Sequence, residues 1–333
     1  MYFIFVEWTG AWSDSSELWT PALKAELGFT AADDGTFWIC FEDLVKFFTG
    51  INVCLCRNPA SSAPWIEQRF PIEYTFSKTG RGVVNVNMFA VTVRQTTDLY
   101  ASVHQKDRRI IGSLPYMDVG VSILQQLPSG KYRHVASSGT AVERQNQFEA
   151  SSLAPGEYLV IPVSTGCKLQ SCIQQLGRAP TNTDYHRNCA IAFHSVKDFV
   201  VREVPFNAEA YEEAMELPVI EAGTEMDLFG DRSVLLYTRK SGYSGISYVA
   251  KNTTESDAIS LTLDLTGSAN IVSHRGNLVA EVMVPPNEAK VMHHIFPHDD
   301  HKDWSAGWSC NARWLTEEEA HAISVADIKL NVE

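Results

Sequence analysis

The chain has 333 residues, 45% hydrophobic and 20% charged, with 27 basic against 40 acidic side chains and a net charge of −13. That length suits about two or three domains of roughly 100–200 residues, and the composition excludes a mainly disordered or collagen-like chain. No run approaches the ~18 apolar residues of a membrane helix, so no transmembrane segment is expected. The densest basic cluster is only Lys106-Asp107-Arg108-Arg109, and an acidic chain repels phosphate backbones, so no nucleic-acid partner is expected either.

The opening Met1-Tyr2-Phe3-Ile4-Phe5-Val6 has no basic leader and no small-residue cleavage site, and does not read as a signal peptide. The seven cysteines are Cys40, Cys54, Cys56, Cys167, Cys172, Cys189 and Cys310. An odd number in a large chain reads as reduced thiols and a cytoplasmic location.

Residues 1–56 are rich in aromatics and carry two helical patterns. Thr20-Pro21 gives an N-cap with proline at the first helical position, and Gly28 ends that helix. Phe41, Leu44, Val45 and Phe48 fall at i, i+3, i+4 and i+7, which predicts a helix over Phe41–Phe48. Gly50 stops it, and Ile51–Cys56 reads as a strand. A linker-like stretch follows, Asn58-Pro59-Ala60-Ser61-Ser62-Ala63-Pro64.

From there to about Val204 strand signals dominate. Val84, Val86 and Met88 alternate with Asn85 and Asn87 and continue into Phe89–Val93; Tyr158–Pro162 reads as a buried strand stopped by its proline; Cys189–Phe193 and Phe199–Val204 follow. Short strands at this spacing predict a β-sandwich. Asn207 caps a helix over Ala208–Glu216 that Pro218 should end. Six further strands are expected at Val234–Thr238, Gly245–Ala250, Ile259–Leu265, Asn270–Ser273, Leu278–Val284 and Lys290–Ile295. The rest, Asp299–Glu333, reads as a polar tail with a short helix near Glu317–Ile323. The expected fold is mainly β: two β-sandwich-like domains after a short α+β segment. The boundaries are 1–56, 57–204, 205–300 after a short helix, and 301–333.

Three stretches carry a resemblance. Val6-Glu7-Trp8-Thr9-Gly10-Ala11-Trp12-Ser13-Asp14, followed by Asp34-Gly35-Thr36-Phe37-Trp38-Ile39-Cys40-Phe41-Glu42-Asp43, resembles the end of the papain-like protease core of calpains, with Cys40 where that family usually has serine. Leu153-Ala154-Pro155-Gly156-Glu157-Tyr158 is similar to the P-G-E-Y strand of the calpain β-sandwich. Val272-Ser273-His274-Arg275-Gly276-Asn277-Leu278 and Val284-Pro285-Pro286 resemble the C-terminal region of small-optic-lobes-type calpains. The resemblance implies a calcium-dependent cysteine-type endopeptidase family, and makes residues 1–56 a remnant of its protease core.

Catalysis in that family needs a cysteine nucleophile, a histidine base and an asparagine that orients it. All three precede the W-T-G motif, so none is expected here. Arg57-Asn58-Pro59 and His321-Ala322-Ile323-Ser324-Val325 echo family motifs at other places in the chain and read as a turn and a helix. The expected function is therefore a non-catalytic regulatory or scaffold fragment. The alternatives are the C-terminal part of an active calcium-dependent protease and a generic two-sandwich binding module, against which residues 6–48 argue. Trp8, Trp12, Phe37, Trp38 and the 41–48 stripe should form a sticky surface. It would be met by the adjacent sandwich, by the rest of a calpain core or by another protein partner, or else left poorly folded.

The resemblance also implies a Ca2+ ion held by Glu7, Asp14 and Asp34 with a carbonyl near Ala32; a fourth ligand position, usually glutamate, is Thr36. His293-His294, His298-Asp299-Asp300-His301 and Asp303 invite a zinc reading, but Pro297 breaks the helical spacing of His294 and His298, and surface histidines are the simpler expectation. Glu221, Glu225 and Asp227 are too scattered to form an acidic loop.

Overall fold

A computed structural model describes residues 7–32, 35–50, 64–78, 82–111, 116–174, 176–241, 245–299 and 301–330. The chain divides into two units, Met1–Asn58 and Pro59–Glu333.

In the first unit, α1 (Pro21–Leu27) starts where its chemistry puts it. The Thr20 hydroxyl accepts from the Leu23 N–H at 3.2 Å, and Gly28 closes the helix at φ +62°. The second helix, α2 (Phe41–Phe47), ends one residue short of the expected Phe48. The strand expected at Ile51–Cys56 and most of the linker lie outside the described residues.

The second unit opens with a sandwich. Its elements are β1 (Ile66–Phe76), β2 (Val83–Asn85), β3 (Met88–Val93), β4 (Thr97–Gln105), a four-residue α3 (Arg108–Ile111), β5 (Gly120–Gln126), β6 (Tyr132–Ser137), β7 (Gln145–Leu153), β8 (Gly156–Val163), α4 (Cys167–Gln174), β9 (His186–Ser195) and β10 (Phe199–Val204). One sheet has the order β2-β1-β9-β4-β7 and the other β10-β3-β8-β5-β6. Adjacent strands are antiparallel. Side chains from both sheets meet in one core, where Phe89 packs against Phe70 and Phe193 with ring centroids 5.3 and 5.6 Å apart.

Two expectations fail here for local reasons. The alternating run from Val84 into Val93 is two strands, not one. At the break the Asn87 side chain accepts from the Glu73 N–H at 2.8 Å and donates to Glu203 at 2.6 Å. Pro162 does not stop its strand: β8 runs to Val163. Beyond Val160 the ladder to β3 has ended, so the missing N–H loses no inter-strand bond on that side.

The helix α5 (Ala208–Ala222) has the expected Asn207 cap, with its side chain accepting from the Ala210 N–H at 3.0 Å, but it continues through Pro218. Packing overrides the local breaker. Ala210, Tyr211 and Ala214 lie in the sandwich core, while Val219 packs with Leu235, Tyr237 and Val249 of the next domain. The Pro218 carbonyl is held by Arg239 Nη1 at 2.7 Å.

That domain contains β11 (Thr224–Asp227), β12 (Val234–Ser241), β13 (Gly245–Asn252), β14 (Ile259–Asp264), β15 (Ile271–Ser273), β16 (Val279–Val284), β17 (Ala289–Pro297) and β18 (Ser309–Trp314), then α6 (Glu317–Leu330). A five-stranded sheet, β11-β12-β13-β17-β15, lies with a three-stranded one, β16-β14-β18. Leu236, Tyr248, Leu261, Leu263 and Ile295 fill the core. All six expected strands form. The polar tail from 301 is a correction, since β18 completes a sheet with Cys310 opposite Leu263 and Ala312 opposite Leu261. Its inward residues are small and its outward ones are Ser309, Asn311 and Arg313, so its alternation has little apolar contrast. No described helix is long and apolar enough to cross a membrane.

The sandwich has one very close backbone approach. A Cβ on Gly120 would stand 2.1 Å from the carbonyl oxygen of Gly139, beside the Val119–Ala141 bridge. Gly120→Ala should cost about 1–3 kcal/mol or more through forced backbone shift, read as a lower urea midpoint. An unchanged midpoint would show that this approach relaxes freely.

Candidate functional site

The W-T-G-A-W-S-D segment is a tight turn built on tryptophan. The Trp8 indole donates to the Ala11 carbonyl at 2.7 Å, the Ser13 N–H donates to Gly10 O, and Trp12 takes a left-handed conformation at φ +66°. Gly10 is required because a Cβ there would lie 2.2 Å from the Trp8 ring. Trp19, buried, donates to Ser13 O at 2.9 Å and is ringed by Trp12, Phe29 and Trp38 at centroid distances of 5.2, 4.4 and 5.9 Å. Part of the expected sticky surface therefore packs on itself. The other part does not: within this unit Phe41 is 71% exposed, and Val45, Phe47 and Phe48 are exposed as well.

Of the expected calcium ligands, Asp34 lies outside the described residues. Glu7 and Asp14 are half-buried, and Thr36 is exposed. Glu7 Oε1 accepts the N–H of Gly35 at 2.7 Å, which ties the first motif to the second across 28 positions. Among the described residues no group of three His, Cys, Asp or Glu side chains is placed to hold a metal. Glu225 and Asp227 are otherwise engaged: Glu225 pairs with Arg232 and accepts from the Tyr237 hydroxyl, and Asp227 accepts the N–H groups of Phe229, Gly230 and Arg232.

Four thiols among the described residues are shifted away from the thiolate form. Burial pushes Cys167 well above the usual range, Cys189 up to about 12, and Cys310 upward. At Cys40 the Asp43 backbone amide lowers the pKa, but the side chains of Asp43 and Glu42 outweigh it; the thiol donates to Asp43 Oδ2 at 3.2 Å. Cys54, Cys56 and Asn58 lie outside the described residues. His321 is exposed on α6.

Histidines the sequence reading placed at the surface are inside. His293 and His294 are buried on β17, with His274 packed edge-on against both. His293 Nδ1 bonds the Ser273 hydroxyl and His294 Nδ1 the Ser247 hydroxyl, each at 2.7 Å, and His274 Nδ1 accepts the His294 N–H at 3.0 Å. Burial holds all three rings neutral: His293 falls to about 4, His294 to about 3, and His274 well below its usual value. The surface expectation failed because β17 is a central strand, so its polar residues are carried inside. His298 and His301 are exposed beyond it.

His274 and His294 line a cleft of about 210 Å3 between the two β domains, together with Ser164, Thr165, Glu216, Arg275 and Lys290. Sequence reasoning missed Glu216. It sits on the buried face of α5 at 6% exposure, and burial raises its carboxyl from 4.5 to about 8. Across the domain boundary the Cys167 thiol donates to His294 O at 3.0 Å and Lys168 Nζ to Pro297 O at 2.7 Å. The loop behind them is fixed by buried Asp118, whose Oδ2 accepts the Thr165 N–H at 2.7 Å.

An aromatic turn tied to a D-G-x-F-W strip, followed by two antiparallel β domains, defines a mainly β protein. Comparison with known proteins agrees at both ends. Residues 3–55 match the calpain family cysteine protease domain and residues 218–318 the calpain-D-like C-terminal domain. Calpain-5 of Mus musculus is 28% identical over 185 residues, covering 47% of this chain and 29% of that protein. Calpain-A of Drosophila melanogaster is 26% identical over 196 residues, 47% of this chain and 24% of that protein. Calpain-9 of Rattus norvegicus reaches 48% over 52 residues, 15% of this chain and 8% of its own. The chain is similar to calpains at both ends, and it spans under a third of the length of these relatives.

Glu216 gives a pH signature. Its folded pKa lies above its unfolded one, so between about pH 4.5 and 8 the folded state binds more protons and stability falls as pH rises, the full penalty being present above about pH 8. Glu216→Gln stays neutral. It should match the parent near pH 4.5 and exceed it at pH 8.5, by on the order of a few kcal/mol, in thermal melts across that range. A constant difference at all pH values would contradict the assignment.

Proposed function

We propose that this chain is a non-catalytic calpain-family segment: the end of a protease core followed by a two-domain β platform that regulates or scaffolds. The observation that supports this reading is the setting of four described thiols, of which Cys167 is fully buried with its thiol on the His294 carbonyl at 3.0 Å. A cysteine protease nucleophile works as a thiolate, and its pKa is lowered by a neighbouring histidine; Cys40, Cys167, Cys189 and Cys310 are all shifted the other way. Within the family we place it with the small-optic-lobes type, supported by the match to a calpain-D-like C-terminal domain. We also propose a cytoplasmic location, in keeping with the free thiols of Cys40, Cys167, Cys189 and Cys310 among the described residues.

A second reading is favoured by the exposed face of α2. Phe41, Val45, Phe47 and Phe48 form an apolar surface of the kind that marks an interface. It suits the remainder of a calpain core as partner, which would make this chain the C-terminal part of an active calcium-dependent protease. The purified 333-residue protein with calcium should not hydrolyse a casein reporter. Hydrolysis stopped by a thiol-alkylating inhibitor would overturn the first reading.

Calcium binding is proposed for Glu7, Asp14 and Asp34, with the Ala32 carbonyl. The Glu7–Gly35 hydrogen bond supports it, because it draws Glu7 to the residue next to Asp34. Loss of the usual fourth carboxylate to Thr36 should weaken affinity. Isothermal titration should show weak binding that Glu7→Gln abolishes; no heat up to millimolar calcium would remove the proposal.

A further inference from the structure

Where the first sandwich, α5 and the second β domain meet, a second, smaller cavity of about 40 Å3 lies behind the cleft. Two cross-strand pairs face it. Ser122 on β5 stands opposite Ser137 on β6, and Ser247 on β13 stands opposite His294 on β17. The pairs are satisfied very differently. Ser247 and His294 bond each other at 2.7 Å. The hydroxyls of Ser122 and Ser137, and that of Thr140 beside them, are buried and have no hydrogen-bond partner among the described residues. Ser122 is fully buried and Thr140 4% exposed.

Buried hydroxyls are nearly always hydrogen-bonded, and three orphans on one cavity wall need a common explanation. Each unmet group costs about 1–3 kcal/mol, so three unmet hydroxyls would strain a protein whose total stability is about 5–15 kcal/mol. The remaining wall is apolar on the α5 side, at Ala214, Met215 and Val219, next to Arg239, whose Nη1 donates to the Pro218 carbonyl at 2.7 Å. A water needs roughly 10–15 Å3 of such space and two to four polar partners. The cavity therefore has room for about two or three waters and has the polar atoms to hold them.

We propose that this cavity is a built binding site for a small cluster of ordered waters that joins the first sandwich to the second β domain. Ser122, Ser137 and Thr140 bind the cluster from one side. Ser247 and His294, bonded to each other, line it from the other. The site lets two polar strand faces meet across α5 without an unsatisfied group, and it makes water a structural part of the domain joint.

The test uses the full 333-residue chain. A high-resolution crystal structure should place two or three waters within hydrogen-bond distance of these hydroxyls, and xenon-pressurised crystals should show no xenon there. Thr140→Val keeps shape and removes only the hydroxyl. It should lower Tm by about 1–2 °C, as expected for losing a water-mediated bond in a chain of 333 residues. Ser122→Ala combined with it should be non-additive, because the two share the cluster. A dry cavity that takes up xenon would overturn the proposal. So would a rise in Tm on Thr140→Val, the result expected if the hydroxyl were unsatisfied.

Discussion

The second unit depends on α5, a fifteen-residue helix that is buried on both sides of its length. Its first half completes the sandwich core through Ala210, Tyr211 and Ala214, and its second half closes the next domain through Val219. A helix of that length is about 22 Å long, so the two cores are spaced by it and cannot be packed independently. This constraint explains why Pro218 is tolerated in the helix interior, where proline usually costs about 3 kcal/mol. It also explains why Glu216 is carried into a site that keeps it protonated. Ending the helix at Glu216 would free the carboxyl but would abandon the packing of Val219 against Leu235, Tyr237 and Val249.

The first unit rests on a different physics. Its helices are seven residues each and bury no side chain, so neither could be stable by propensity. What order it has comes from tryptophan: Trp8 roofing Gly10, Trp19 bonded to Ser13 and enclosed by three rings. The aromatic motif is thus a folding device in its own right, with Trp8, Gly10, Trp12 and Ser13 each engaged in its turn. Among the described residues of this unit, Phe41, Val45, Phe47 and Phe48 on and beside α2 remain exposed.

Much of this was legible in the sequence where a single local rule decides the outcome. The Thr20 and Asn207 caps, the Gly28 stop and the six strands of the second domain all follow from residues adjacent in the chain. What was hidden depends on distant partners. Pro162 sits harmlessly in β8 because the β3 ladder has already ended, which only topology reveals. Residues Ser309–Trp314 read as polar until β14 supplies the other half of their alternation. The histidines of β17 read as surface residues because nothing nearby announces Ser247 and Ser273 as their partners. At the candidate calcium site the motif names the residues, but only the Glu7–Gly35 bond shows that its two halves meet.

The joint between the β domains is polar where an apolar one would have been simpler. Burial of apolar area is non-directional and tolerates sliding; hydrogen bonds do not. The Cys167 thiol and the Lys168 ammonium each bond a carbonyl of β17, at His294 and Pro297, three residues apart on one strand. Asp118 holds the loop that presents them. Two fixed points on one strand define both position and direction, so the sandwich grips the second domain at a set angle. A buried carboxylate is expensive to ionise away from water, and burial pushes Asp118 up to about 6.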